Sequence, residues 1–150
     1  LNAASERGVN VRLILDTNQD AFGMRKVGIP NQPVATDLVT RGVRIRWAYT
    51  RGEQCHSKML LHRHAGEITL ILGSANFTRR NLDNFNLETD VVVRGTSDAP
   101  ALAIATRVFE RLWHNEEGKT YTLDYEVYGG RKPWRYALYW FMEKTGISTF

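Results

Sequence analysis

The chain of 150 residues has one cysteine, Cys55, so it forms no intrachain disulfide and cannot rest on a framework of stapled loops. A lone thiol fits a reducing compartment. Long hydrophobic runs are also missing: the apolar stretches at 68–72 and 136–142 fall far short of the roughly 20 residues that cross a bilayer as a helix. No glycine period or low-complexity tract is present, which excludes a fibre or a repeat array. Acidic residues are outnumbered, sixteen Asp and Glu against twenty Lys and Arg, giving a formal charge of +4 and a pI near 9.4. That balance favours an anionic partner, either nucleic acid or an acidic lipid surface. What remains is 43% hydrophobic, 24% charged and 11% aromatic, enough apolar material for one folded domain and too much for disorder.

The segment from Leu1 to Gly8 reads as the last turns of a helix ending at a glycine cap, so the expectation is a chain that continues something longer. Branched residues from Val9 to Leu15 suggest a buried strand. Asp16 to Gln32 then shifts to Asn, Asp, Gly, Lys and Pro, a long connection that compact domains keep when it serves a site. Within it Asp16, Asn18 and Asp20 imitate a calcium loop, but Ala21 stands where glycine is needed and Val27 where a bidentate glutamate is needed, which rejects calcium. Asp20, Arg25 and Lys26 are candidates for contact with a substrate head group.

A short helix is expected from Pro33 through Leu38, and a half-exposed strand from Val43 to Tyr49. Ser57 to His62 and Glu67 to Leu72 read as strands of a hairpin joined by His64-Ala65-Gly66, and Leu87 to Arg94 as a further strand. Asp98 and Pro100 open a helix with Leu102, Ala105, Phe109 and Leu112 on one stripe. Pro133 opens a last helix to about Lys144. The fold class is therefore α/β, a mixed β-sheet flanked by helices.

Chemistry concentrates in the hairpin. Residues two apart on a strand point to one face with alpha carbons roughly 6.6 Å apart, so His56 and Lys58 can share one phosphate. Gly73-Ser74-Ala75-Asn76 follows the next strand: glycine permits close approach, and Ser74 and Asn76 offer donors. Glu88, twelve residues later, is placed to hydrogen-bond one imidazole nitrogen and leave the other free to attack. A zinc site from Cys55, His56, His62 and His64 is rejected: Cys55 faces away from His56, and His62 lies about 20 Å from it on an extended strand. His62 and His64 are read as solvated residues at a hairpin tip, and His114 as a charge at a helix C-terminus.

HSK, GSAN and NLET in this order resemble the C-terminal half-motif of the phospholipase D superfamily, over Gln54 to about Gly95. The resemblance implies a phospholipase D/nuclease-like half-domain acting as a phosphodiesterase or phosphatidyltransferase, with a phosphohistidine intermediate and no metal or other cofactor. It assigns His56 as nucleophile or leaving-group acid, Lys58 and Asn76 as phosphate-binding groups, and Ser74 and Glu88 as supporting groups. One departure is plain: the family pattern HxKxxxxD puts aspartate at position 63, where this chain has Arg63.

Diester exchange needs a nucleophile on one side of phosphorus and a proton donor on the other, and this chain has one HxK. The implied partner is a second HxK half-domain, in the same polypeptide or in a second copy of the chain. The long loop and GEQCHSK look closer to bacterial phospholipase D-like and cardiolipin-synthase-like proteins than to small homodimeric nucleases. The expected substrate is thus a phospholipid, with a nucleic acid or a non-catalytic diester-binding role as alternatives. Nine of the sixteen aromatic residues lie beyond residue 118, interspersed with Arg131, Lys132, Arg135 and Lys144, which suits a membrane surface and a bacterial cytoplasmic or peripheral-membrane location.

Overall fold

A computed structural model describes residues 1–21, 24, 25, 27–78, 81 and 87–145, with the side chains at 20, 21, 24, 25 and 143 set aside. Its contacts divide it into two units, Leu1–Cys55 with the chain from Asn115 onward, and His56–His114.

The first unit opens with α1 (Asn2–Glu6). Gly8, at φ +83°, ends it in the left-handed conformation that glycine takes without penalty, while the amides of Gly8 and Val9 bond the carbonyls of Ser5 and Ala4. Strand β1 (Arg12–Leu15) runs parallel to β4 (Arg44–Ala48), which pairs antiparallel with β8 (Thr122–Asp124). Parallel neighbours need a crossover, supplied by α2 (Asn31–Val39). That helix starts two residues before the expected Pro33, because the amides of Gln32 and Val34 find the carbonyls of Gly28 and Pro30. Pro33 then sits in the first turn, where an absent N–H costs little. Ala35, Leu38, Val43, Ile45 and Trp47 form the core beneath it. Trp47 is fully buried, stacks on Tyr125 at 6.3 Å and donates its indole N–H to the Tyr125 carbonyl at 2.8 Å, which satisfies its one polar atom.

The long connection after β1 contains a two-rung hairpin, β2 (Asp20–Ala21) and β3 (Met24–Arg25), with Asp20 opposite Arg25. Asp16 staples its start: one carboxylate oxygen accepts the Asn18 amide and the other the Cys55 amide, each at 2.6 Å. The calcium-like Asp16 is thus occupied by its own backbone. Late in the unit, a helix (Pro133–Thr145) packs on α2.

The second unit is a meander of β5 (Met59–His64), β6 (Glu67–Gly73) and β7 (Asp90–Thr96). Ala65 and Gly66, at φ +48° and +84°, join β5 to β6 in the two-residue turn whose twist suits antiparallel strands. Helix α3 (Pro100–His114) covers one face, burying Leu102 and Ala105 against Ile68 and Leu70. Full burial of a side chain such as Leu102 contributes about 1.5–3 kcal/mol. Continuing the numbering, the Pro133–Thr145 helix is α4.

The α/β class with a mixed sheet flanked by helices is present, but the strands beside the site residues belong to the antiparallel set β5-β6-β7, while the mixed set is β1-β4-β8. Only the Ala65-Gly66 turn between β5 and β6 is tight; the connection from Gly73 to Asp90 is longer and carries Asn76 and Glu88, and β7 still pairs antiparallel with β6. Asp98 does not cap α3: the helix begins at Pro100, and the Asp98 carboxylate takes the Thr96 hydroxyl instead, which holds its carboxyl below the usual aspartate range.

Candidate functional site

The expected catalytic residues His56, Lys58, Ser74, Asn76 and Glu88 lie at one end of the β5-β6-β7 meander. Beyond the last rung, Met59 opposite Leu72, the Gly73 amide reaches the Lys58 carbonyl at 3.4 Å, and Gly73 pairs with Asp90 on its other side. Lys58, Gly73 and Asp90 thus form one row across three strands, spanning on the order of 10 Å. The chain before Lys58, after Gly73 and before Asp90 leaves the sheet at this same end, carrying His56, Asn76 and Glu88 with it.

His56 is exposed, and its imidazole meets the Lys58 side chain as the i, i+2 spacing predicts, although 54–58 lies outside the ladder. Lys58 Nζ is 2.7 Å from His56 Nδ1 and 2.9 Å from the His56 carbonyl. An ammonium is donor only, so Nδ1 here is the acceptor and the proton of a neutral ring sits on Nε2. Three residues beyond Gly73, the Asn76 side chain is exposed, with no hydrogen-bond partner among the described residues. Its carbonyl accepts the Thr78 amide at 2.8 Å in a tight turn.

The structure corrects two of the expected roles. Glu88 does not hydrogen-bond the imidazole. It accepts the side-chain amide of Asn81, which in turn accepts the Thr78 hydroxyl at 2.8 Å. Asn81 is buried and its amide must be satisfied, so the nearest carboxylate is drawn to it rather than to an exposed ring. Ser74 does not offer a free hydroxyl: its Oγ accepts the Thr89 amide at 3.0 Å, and its own amide donates to the Thr89 carbonyl at 3.1 Å, clipping the ends of β6 and β7 together. Gly73 likewise serves the sheet. A Cβ there would collide with the Thr89 carbonyl and with Asp90, so the close approach it permits is to β7.

The remaining candidates fall elsewhere. Asp20 and Arg25 face each other across the β2–β3 hairpin of the first unit, their side chains outside the description, and Lys26 lies outside the described residues. Arg63, where the family pattern has aspartate, stands opposite Ile68 near the hairpin tip, about 17 Å along β5 from Lys58. The His62 and His64 rings stack at 6.2 Å on exposed positions of the same strand, and His114 pairs with Glu110 at 3.4 Å. A depression of about 480 Å³ lined by Arg63, His64, Glu67 and Thr106 lies at this far end and includes none of His56, Lys58 or Asn76. Among the described residues, no three His, Cys, Asp or Glu side chains are grouped to hold a metal ion.

Sequence reasoning missed Asn81. Nothing marks it in a stretch with several other asparagines, and only its burial shows its role. Chemically, the sheet end offers a nucleophilic nitrogen, a cation touching it and a free amide donor, the set that a negatively charged tetrahedral group requires. A family model described as "Cardiolipin synthase, PLD-like domain" matches residues 1–113. Comparison with curated proteins gave no match.

Proposed function

As the chain belongs to the cardiolipin synthase, PLD-like domain family, we propose that it supplies one half of a phosphodiester-transfer site that acts on phospholipids through a phosphohistidine. The observation that carries this reading is the 2.7 Å contact between His56 and Lys58, at the sheet end where the Asn76 amide is exposed.

In the free site the Lys58 ammonium caps an imidazole lone pair. A diester phosphate offers that ammonium a charged oxygen in place of a neutral nitrogen, so substrate binding draws Lys58 onto the phosphoryl group and uncovers the ring. The freed imidazole nitrogen attacks phosphorus, an N–P bond forms, and the P–O bond to the head group breaks. The departing alkoxide, a strong base, takes a proton from an acid on the opposite side, which a second HxK set provides. Water or an alcohol then attacks phosphorus, loses its proton to that same group and releases His56. Lys58 and Asn76 neutralise the charge that grows on the phosphoryl oxygens. The reading calls for two such sets, in one polypeptide or in two copies of the chain.

The decisive experiment incubates the intact protein with a phospholipid labelled in its phosphate. An alkali-stable, acid-labile label on His56, together with head-group release, supports the reading. Absence of both, with cleavage of single-stranded DNA instead, overturns the lipid assignment in favour of a nuclease, a substrate that the +4 charge also suits. Absence of all three activities, with retained diester binding, leaves a non-catalytic binding half.

A further inference from the structure

We infer that the exposed face of α4 docks onto an anionic lipid bilayer. The helix is about 20 Å long and lies beyond residues 1–113, so the family match does not account for it. Trp134, Leu138 and Phe141 fall at i, i+4 and i+7, which places them on one stripe. They are exposed by 51%, 37% and 58%, and the neighbouring Trp140 by 60%. The helix is fastened to α2 by other residues: the Tyr136 hydroxyl lies 3.1 Å from both the Pro33 carbonyl and the Asp37 carboxylate, and Arg135 donates to Gln32. Among the described residues, none of the hydrogen bonds to α2 comes from the apolar stripe.

Charge decides what covers it. Between residues 131 and 145 the sequence has four cations, Arg131, Lys132, Arg135 and Lys144, and one acid, Glu143. Three cations lie over aromatic rings: Arg135 over Trp134 at 5.1 Å, Lys144 over Trp140 at 5.5 Å and Arg131 over Tyr136 at 5.7 Å. Arg135 beside Trp134 and Lys144 beside Trp140 thereby set cations next to exposed rings toward the two ends of the helix, the pattern that matches an interface where acyl chains meet anionic head groups. A second copy of this chain would bring the same excess of cations to the contact, so like charge opposes self-docking. Docking of this kind rests on the helix and not on His56.

Co-sedimentation of the intact protein with phosphatidylcholine vesicles, with and without phosphatidylserine, tests it without any turnover. Binding is expected on the anionic vesicles only, weakened as salt screens the cations. The pair Trp134→Ala with Phe141→Ala should lower vesicle affinity about tenfold or more, since both rings leave the acyl boundary. Lys132→Gln, whose side chain precedes the helix, should lower it about fivefold. Near-identical circular dichroism and melting of the variants would show that the fold is kept. Equal binding by wild type and all variants, no binding to either vesicle, or a dimer that the Trp134 and Phe141 changes dissolve would each overturn the docking surface, while leaving the reading of His56 untouched.

Discussion

Asn81 donates its side-chain amide to Glu88, and through this bond the turn that follows Asn76 is tied to the chain entering β7. The Thr78 hydroxyl completes the tie by donating to the other end of the same amide at 2.8 Å. The loop carrying exposed Asn76, the proposed phosphate-binding residue, thus rests on a buried polar contact. The carboxylate acts here on the position of Asn76, with no bond to the imidazole.

Asn81→Ala should therefore destabilise the fold by about 1–3 kcal/mol, the cost of leaving a half-buried carboxylate without its donor. In the intact protein KM should rise more than kcat falls, because Asn76 is displaced while His56 and Lys58 remain. Urea unfolding with steady-state kinetics checks both, and a kcat loss with unchanged KM would disprove the positioning role.

Replacement of His56 by Ala should abolish turnover and change stability by no more than about 0.5 kcal/mol, as expected for an exposed side chain. Lys58→Ala should lower kcat/KM by about 10² to 10³, the range for losing one preorganised donor to developing charge. A melting temperature that drops sharply for His56→Ala would show that the ring is structural.

Gly73→Ala should be harmful although Gly73 touches no substrate in the proposed mechanism. The added methyl meets the Thr89 carbonyl and Asp90, and relief requires parting β6 from β7 at a cost of about 1–3 kcal/mol. Chemical denaturation of the purified variant measures this, and wild-type stability would disprove the packing explanation.

The pH dependence of the β7–α3 junction follows from Asp98. Its bond from Thr96 and its own backbone amide favour the charged carboxylate, so its folded pKa lies below the unfolded value near 4. A depressed pKa contributes stability that is present above the unfolded value and lost as pH falls through the folded one. Wild type should lose stability relative to Asp98→Asn as pH falls below about 4, and the two should run parallel above about pH 5. Melting curves across that range give the comparison; parallel curves throughout would remove Asp98 from the account.

Local chemistry in the sequence determined a good part of this protein. The spacing placed the β5–β6 hairpin, although β5 runs Met59–His64 instead of the expected 57–62, and the link narrows to Ala65 and Gly66, whose positive φ angles suit a two-residue turn. The i, i+2 spacing of His56 and Lys58 brought their end groups together, because a short extended segment leaves little choice of side. Long-range competition decided the rest. Ser74 and Gly73 look like substrate ligands in isolation, but the ends of β6 and β7 must satisfy their backbone groups, so Thr89 claims Ser74 while Gly73 pairs with Asp90 and Lys58. Glu88 was expected beside the imidazole and went to Asn81, because a buried amide without a partner costs more than an exposed ring left to water. Which donor a carboxylate meets depends on which neighbours lose their solvent, and burial is a property of the folded chain.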